Sequence, residues 1–132
     1  MTEQEDKQKQ QEMIFKLSIF EQQIRQLQQQ IHAVEQAIVD MNTLNFGLDE
    51  LKGKKGEEIF APIGRGIFAR TKLISEDLTV DVGGGNLVKK NIEDTKGMIK
   101  EQIKKLEVAR RELNDNLEKV GMELQRMMNE GV

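Results

Sequence analysis

Three consecutive glycines, Gly83-Gly84-Gly85, first invite a chemical reading, because bare backbone amides in a glycine-rich loop can cradle phosphate. A phosphate loop needs G-x-x-x-x-G-K-[ST], or G-x-G-x-x-G opening a helix, and neither pattern occurs. The run reads instead as a hairpin turn. Gly64-Arg65-Gly66 is too short for a nucleotide signature and suits a tight turn between Ile63 and Ile67. His32 is the only histidine, and no second ligand or nucleophile accompanies it. Acidic residues are spread at spacings that suit charge pairing, and no two stand out as a general acid and base. Without cysteine the chain has no thiolate nucleophile, no disulfide and no Cys-type zinc site. No residue set supports catalysis, a cofactor or a bound metal, so the expectation is a protein that is not an enzyme.

The balance of charge narrows the partners. Lys and Arg number 20 against 23 Asp and Glu, a net charge of −3, and no basic face is evident, which argues against nucleic acid as a partner. The opening MTEQEDKQKQQE is polar and acidic where a signal peptide needs a basic start and an apolar run. Nothing later approaches the ~18 consecutive apolar residues of a membrane span. The expectation is a soluble, untargeted protein that does not engage a membrane.

The 132 residues suit a single domain, yet five Phe, no Trp, no Tyr and 33% charged residues leave little to fill a thick core. Something thin or long is expected. Ala, Glu, Lys, Leu, Arg and Gln dominate both ends, whereas most glycine, many β-branched residues and the one proline gather in the middle. The order is therefore helix, sheet, helix. From Met13, apolar residues recur at steps of four and three, with Leu17, Ile24, Ile31 and Ile38 at a and Phe20, Leu27, Val34 and Met41 at d, a heptad seam. His32 follows Ile31 and falls on the solvent-facing side. Glycines 47, 53 and 56 favour a stop, which predicts a first helix over about residues 5–51.

A second seam runs Ile92, Ile99, Ile103, Leu106, Leu113, Leu117, Val120, Leu124, Met127, broken at heptad positions by Lys96 and Arg110. Asn91 is placed to cap it, with Glu93 and Asp94 in the first turn, which predicts a helix over about 91–129. Laid antiparallel with paired numbers summing to about 137, the seams match Met13 with Leu124, Leu17 with Val120, Phe20 with Leu117, Ile24 with Leu113, Ile31 with Leu106, Val34 with Ile103 and Ile38 with Ile99. Leu27 then faces Arg110, whose aliphatic stem can lie over the seam with its head in water.

Between the helices, residues 57–90 change period from seven to two. Ile67, Ala69, Thr71 and Leu73 alternate with Phe68, Arg70 and Lys72, and Leu78, Val80 and Val82 with Thr79 and Asp81, as half-buried strands do. Stretches 57–63 and 86–88 supply two more, separated by turn-forming residues. The result is two hairpins. Such hairpins seldom stand alone in water, so association through them is expected.

At the far end of the helix pair, Met13, Ile14 and Phe15 are consecutive, and Leu124, Met127 and Met128 oppose them. One seam buries Met13 and Leu17 but leaves Ile14, Phe15 and Met128 without a home. A frayed helix end accounts for scattered apolar residues. An exposed patch with adaptable methionines accounts for them as a weak, sequence-tolerant binder of nonnative chains.

The middle of the chain, APIGRGIFARTKL and then LTVDVGGGNLVKK leading into the second helix, resembles the α class of prefoldin. The resemblance covers nearly all of residues 1–132 as one domain, and two hairpins rather than one favour α over β. It implies an α+β fold dominated by helix, a long antiparallel coiled coil with two central hairpins that assemble into an oligomeric β-barrel platform. It also implies a cytoplasmic, ATP-independent holdase in which two α and four β-type subunits form a hexamer. Coiled-coil tips would hold unfolded clients and pass them to a group II chaperonin. Ile59, Phe60, Ile67, Phe68, Leu73, Leu78, Val80, Val82 and Val88 would serve the platform. Met13, Ile14, Phe15, Leu124, Met127 and Met128 would serve the client. A coiled-coil adaptor with inert tips, or a prefoldin-like scaffold subunit devoted to one fixed partner, would share the same architecture.

Overall fold

A computed structural model describes residues 2–130. Its elements are helix α1 (Glu3–Glu50), strands β1 (Glu58–Gly64), β2 (Ile67–Lys72), β3 (Leu78–Asp81) and β4 (Leu87–Lys90), and helix α2 (Ile92–Glu130). Helix α1 begins two residues before the predicted start because Thr2 caps it. The Thr2 hydroxyl accepts the Glu5 amide at 3.3 Å, and Glu3, Glu5 and Asp6 place negative charge in the first turn. At the other end Leu51 and Lys54 donate to the Leu48 and Leu51 carbonyls, tightening the chain out of the helix, and Gly53 takes a left-handed φ of 72° that a side chain would resist. Asn91 caps α2 as predicted. Its Oδ1 accepts the Asp94 amide at 2.7 Å, while its carbonyl accepts the Thr95 amide at 3.1 Å and the Thr95 hydroxyl at 2.8 Å.

The chain divides into two compact units, one holding α1 up to Ala37 with α2 from Leu106, the other Ile38–Lys105. In the first, Met13, Leu17, Phe20, Ile24, Leu27, Ile31 and Val34 of α1 are buried or half-buried, as are Leu106, Leu113, Leu117, Val120, Leu124 and Met127 of α2. Residues between them are almost all exposed, so the helices meet along the narrow stripe that the heptads define. Met13 and Met127 line one recess, and Leu27 shares a groove with Asn116, Lys119 and Val120.

In the second unit Leu48, Ile92 and Ile99 form the core, with Met41, Leu51, Leu78 and Ile103 packed against it. Ile99 is only 3% exposed. Two ion pairs flank this core, Asp49 with Lys96 and Lys52 with Glu93, and the numbers in each sum to 145. The helices therefore stand about one heptad away from the predicted alignment, and Leu27 lies beside Asn116 and Val120 rather than opposite Arg110. The apolar pattern in the sequence stops short of this at Asn45. The seam continues past Met41 to half-buried Asn45 and buried Leu48, but a polar residue at an a position ends the apolar pattern one heptad early. Thr95 likewise takes the buried place predicted for the Lys96 position, leaving the Lys96 ammonium to reach Asp49.

Each hairpin is a separate antiparallel two-stranded sheet, and no barrel closes within the chain among the described residues. In the first, Ile59 pairs with Thr71, Phe60 with Arg70, Ala61 with Ala69 and Pro62 with Phe68, and a bulge at Ile63 precedes the pairing of Gly64 with Ile67. Leu73 lies just past β2 but extends the ladder, its amide donating to the Glu57 carbonyl at 3.0 Å. In the second, Leu78 pairs with Lys90, Thr79 with Lys89, Val80 with Val88 and Asp81 with Leu87, so β4 runs on to Lys90, beyond the predicted 86–88. The three glycines make its turn, all at positive φ, with the Asp81 carboxylate accepting the Gly83 amide at 2.8 Å.

Candidate functional site

Cross-strand partners in an antiparallel ladder share a face. The first hairpin therefore shows Ile59, Ala61, Ala69 and Thr71 on one side and Glu58, Phe60, Pro62, Phe68, Arg70 and Lys72 on the other. The second side is open: Phe60 is 68% exposed, Phe68 is also exposed, and an Arg70–Glu58 ion pair of 3.0 Å borders them. In the second hairpin Leu78, Val80, Val88 and Lys90 share a face, with Leu78 turned to the helical core. Of the predicted platform residues, Ile59, Leu73, Leu78 and Val80 are half-buried within the chain, while Phe60, Ile67, Phe68, Val82 and Val88 are exposed. Exposed aromatic and branched side chains clustered on two short sheets are the pattern of a surface made to be covered.

Ile63, Ile74 and Leu87 join this exposed set although strand periodicity did not single them out. Ile63 is the bulged residue, so alternation misplaces it. Ile74, 86% exposed, sits in the connection between the hairpins, where alternation has ended. Val39 and Phe46 lie one heptad apart on the outer side of α1 and are also exposed. Carrying the seam through Asn45 is the signal that finds them, because both then fall at b.

In the other unit, Met13, Leu124 and Met127 are half-buried on the seam, while Ile14 and Phe15, each 66% exposed, and Met128 lie off it. Met13 and Met127 line one recess with Lys9, Lys16 and Glu130, which puts the start of α1 beside the end of α2. Met122 is a further exposed methionine that the seam analysis passed over because it lies outside a and d.

The charged groups are structural. The Lys96 ammonium holds the Asp49 carboxyl below its usual range against the opposing effect of desolvation, and Lys52 adds to the lowering. Lys52 is raised, first by Glu93 and then by Asp49, and Lys52 in turn lowers Glu93. Among the described residues no group of three His, Cys, Asp or Glu is placed to hold a metal ion, and no helix is long and apolar enough to cross a membrane.

Comparison with known proteins agrees with this architecture. A family model described as Prefoldin subunit matches residues 20–131. A Prefoldin subunit alpha of Methanobrevibacter smithii is 32% identical over 117 residues, covering 88% of this chain and 80% of the relative. One of Methanosphaera stadtmanae is 34% identical over 91 residues, covering 69% and 66% respectively. Among solved structures, a chain of the filamentous PFD from Methanocaldococcus jannaschii, determined by cryo-EM, superposes with a TM-score of 0.77 at 21% identity, covering 86% of this chain and 96% of that one.

Proposed function

The chain belongs to the prefoldin family of non-enzymatic chaperone subunits, and from that premise we propose that it is the α-type subunit of a cytoplasmic, ATP-independent holdase. Its hairpins join β-type subunits in a hexameric platform of two α and four β chains. The exposed side chains at the start of α1 and the end of α2 hold unfolded clients, which pass to a group II chaperonin.

The observation that carries this reading is the exposure of Ile14, Phe15 and Met128 off a seam whose own residues are satisfied. A helix pair that served only as a spacer has no use for an aromatic, a branched aliphatic and a methionine facing water, whereas a binder of varied nonnative chains needs adaptable apolar surface. The test is suppression of aggregation of a chemically denatured client, without ATP, by the chain co-assembled with a β-type subunit. Phe15→Ser/Met128→Ser is expected to lose protection while light scattering shows the assembly intact. Unchanged protection would refute capture at this surface. No protection from the wild-type assembly would leave the adaptor reading.

A further inference from the structure

How far α2 slides along α1 is not decided by the apolar seams. The alignment with numbers summing to about 137 matches seven apolar pairs, and sliding one seam by a heptad to about 144 again matches seven, with Arg110 and Lys96 at seam positions in both. One heptad is a displacement of about 10 Å. The matched seam pairs are equal in number, so their burial nearly cancels from the difference, and what the end of the seam adds, the cover of Leu48 by Ile92 and the charges beside it, chooses between the alignments.

Charge is one of those terms. In the unit Ile38–Lys105 the structure holds the second alignment, and there Asp49 meets Lys96 and Lys52 meets Glu93. In the other alignment Lys96 would stand level with Met41, and Asp49 and Lys52 would stand level with residues 88 and 85, outside α2. Both pairs would be lost. Asn45 adds no directional preference of its own, since its Oδ1 is buried without a hydrogen-bond partner. Exposed ion pairs contribute little to total stability, but a small term suffices when the large ones balance.

We propose that the Asp49–Lys96 and Lys52–Glu93 pairs are a register lock that, together with the end of the seam, selects one of two alignments, a heptad apart, that the matched seam pairs leave open. Leu48 also gains its cover from Ile92 in this alignment, so the test leaves Leu48 in place.

The absence of cysteine makes the register directly readable. A disulfide needs Cα atoms within roughly 7 Å, so a slide of a heptad separates the two reporters. Met41→Cys/Ile103→Cys bridges in the observed alignment and Ile38→Cys/Ile99→Cys in the other, each compared with and without charge changes so that the cost of the cysteines cancels. Reversal by Asp49→Lys/Glu93→Lys is expected to shift the ratio of the two bridging rates toward the Ile38/Ile99 reporter by about tenfold, since it sets four like charges together. Adding Lys52→Glu/Lys96→Glu rebuilds both pairs with opposite polarity and is expected to return the ratio to that of the parent. An unchanged ratio after reversal, or no recovery on the full swap, overturns the proposal. Should circular dichroism show the reversed chain unfolded, Asp49→Asn/Glu93→Gln takes its place with an expected shift of about threefold, and an unchanged ratio there overturns it equally.

Discussion

The ammonium of Lys96, near the start of α2, pairs with the carboxylate of Asp49, in the last turn of α1. With Lys52 and Glu93 it forms a chain of alternating charge, and its titration has a definite sign. The Asp49 and Glu93 carboxyls are held below their ordinary values of 3.8 and 4.5, so their contribution is complete above those values and is lost as pH falls through the folded ones. Lys52 is raised above 10.5, so its contribution is complete below that value and is lost as pH rises through the folded one. The Tm difference between the wild type and Asp49→Asn/Glu93→Gln is expected to be flat between roughly pH 5 and 10 and to close on the acid side. A difference that grew on acidification would contradict the pairing.

Ile99 packs with Leu48 and Ile92 and is the least exposed core residue. Ile99→Ala is expected to cost about 2–5 kcal/mol, whereas Ile14→Ala, on an exposed position, is expected to stay within about 0.5 kcal/mol. Thermal or denaturant unfolding of both variants checks the contrast, and equal costs would mean that Ile99 is not in the core.

Asn91 gives α2 its N-cap. Asn91→Ala is expected to cost about 1 kcal/mol, visible as a lower Tm, while Asn91→Asp is expected to retain nearly all of the stability. A loss from Asn91→Asp as large as that from Asn91→Ala would mean that the side-chain acceptor is not what matters.

On the first hairpin, Phe60→Ser/Phe68→Ser removes two exposed aromatic side chains, of which Phe60 lines a recess with Leu44, Leu48 and Leu51. Unchanged helical circular dichroism with a fall in assembly mass by light scattering is the expected outcome. Assembly of normal size would exclude this face from the subunit contacts.

The helices, their seams, the Asn91 cap and both hairpin turns were legible because each rests on local chemistry: heptad spacing, a side-chain acceptor, glycine at positive φ. The alignment of the helices was not, because Asn45 interrupts the apolar pattern before Leu48 and the deciding charges, Asp49 and Lys96, lie 47 residues apart in sequence. Off-seam Ile14, Phe15 and Met128 were readable as exposed once the heptad was set. Ile63 and Ile74 were not, because one occupies a bulge and the other a connection, where alternation carries no information.

Among the described residues the two ladders are separate and each has both outer edges unpaired, so assembly through both hairpins would give this polypeptide two points of attachment. A one-hairpin chain would then have a single point of attachment, whereas this one would have the connectivity of a link. Loss of either ladder would therefore leave one attachment where a closed assembly needs two.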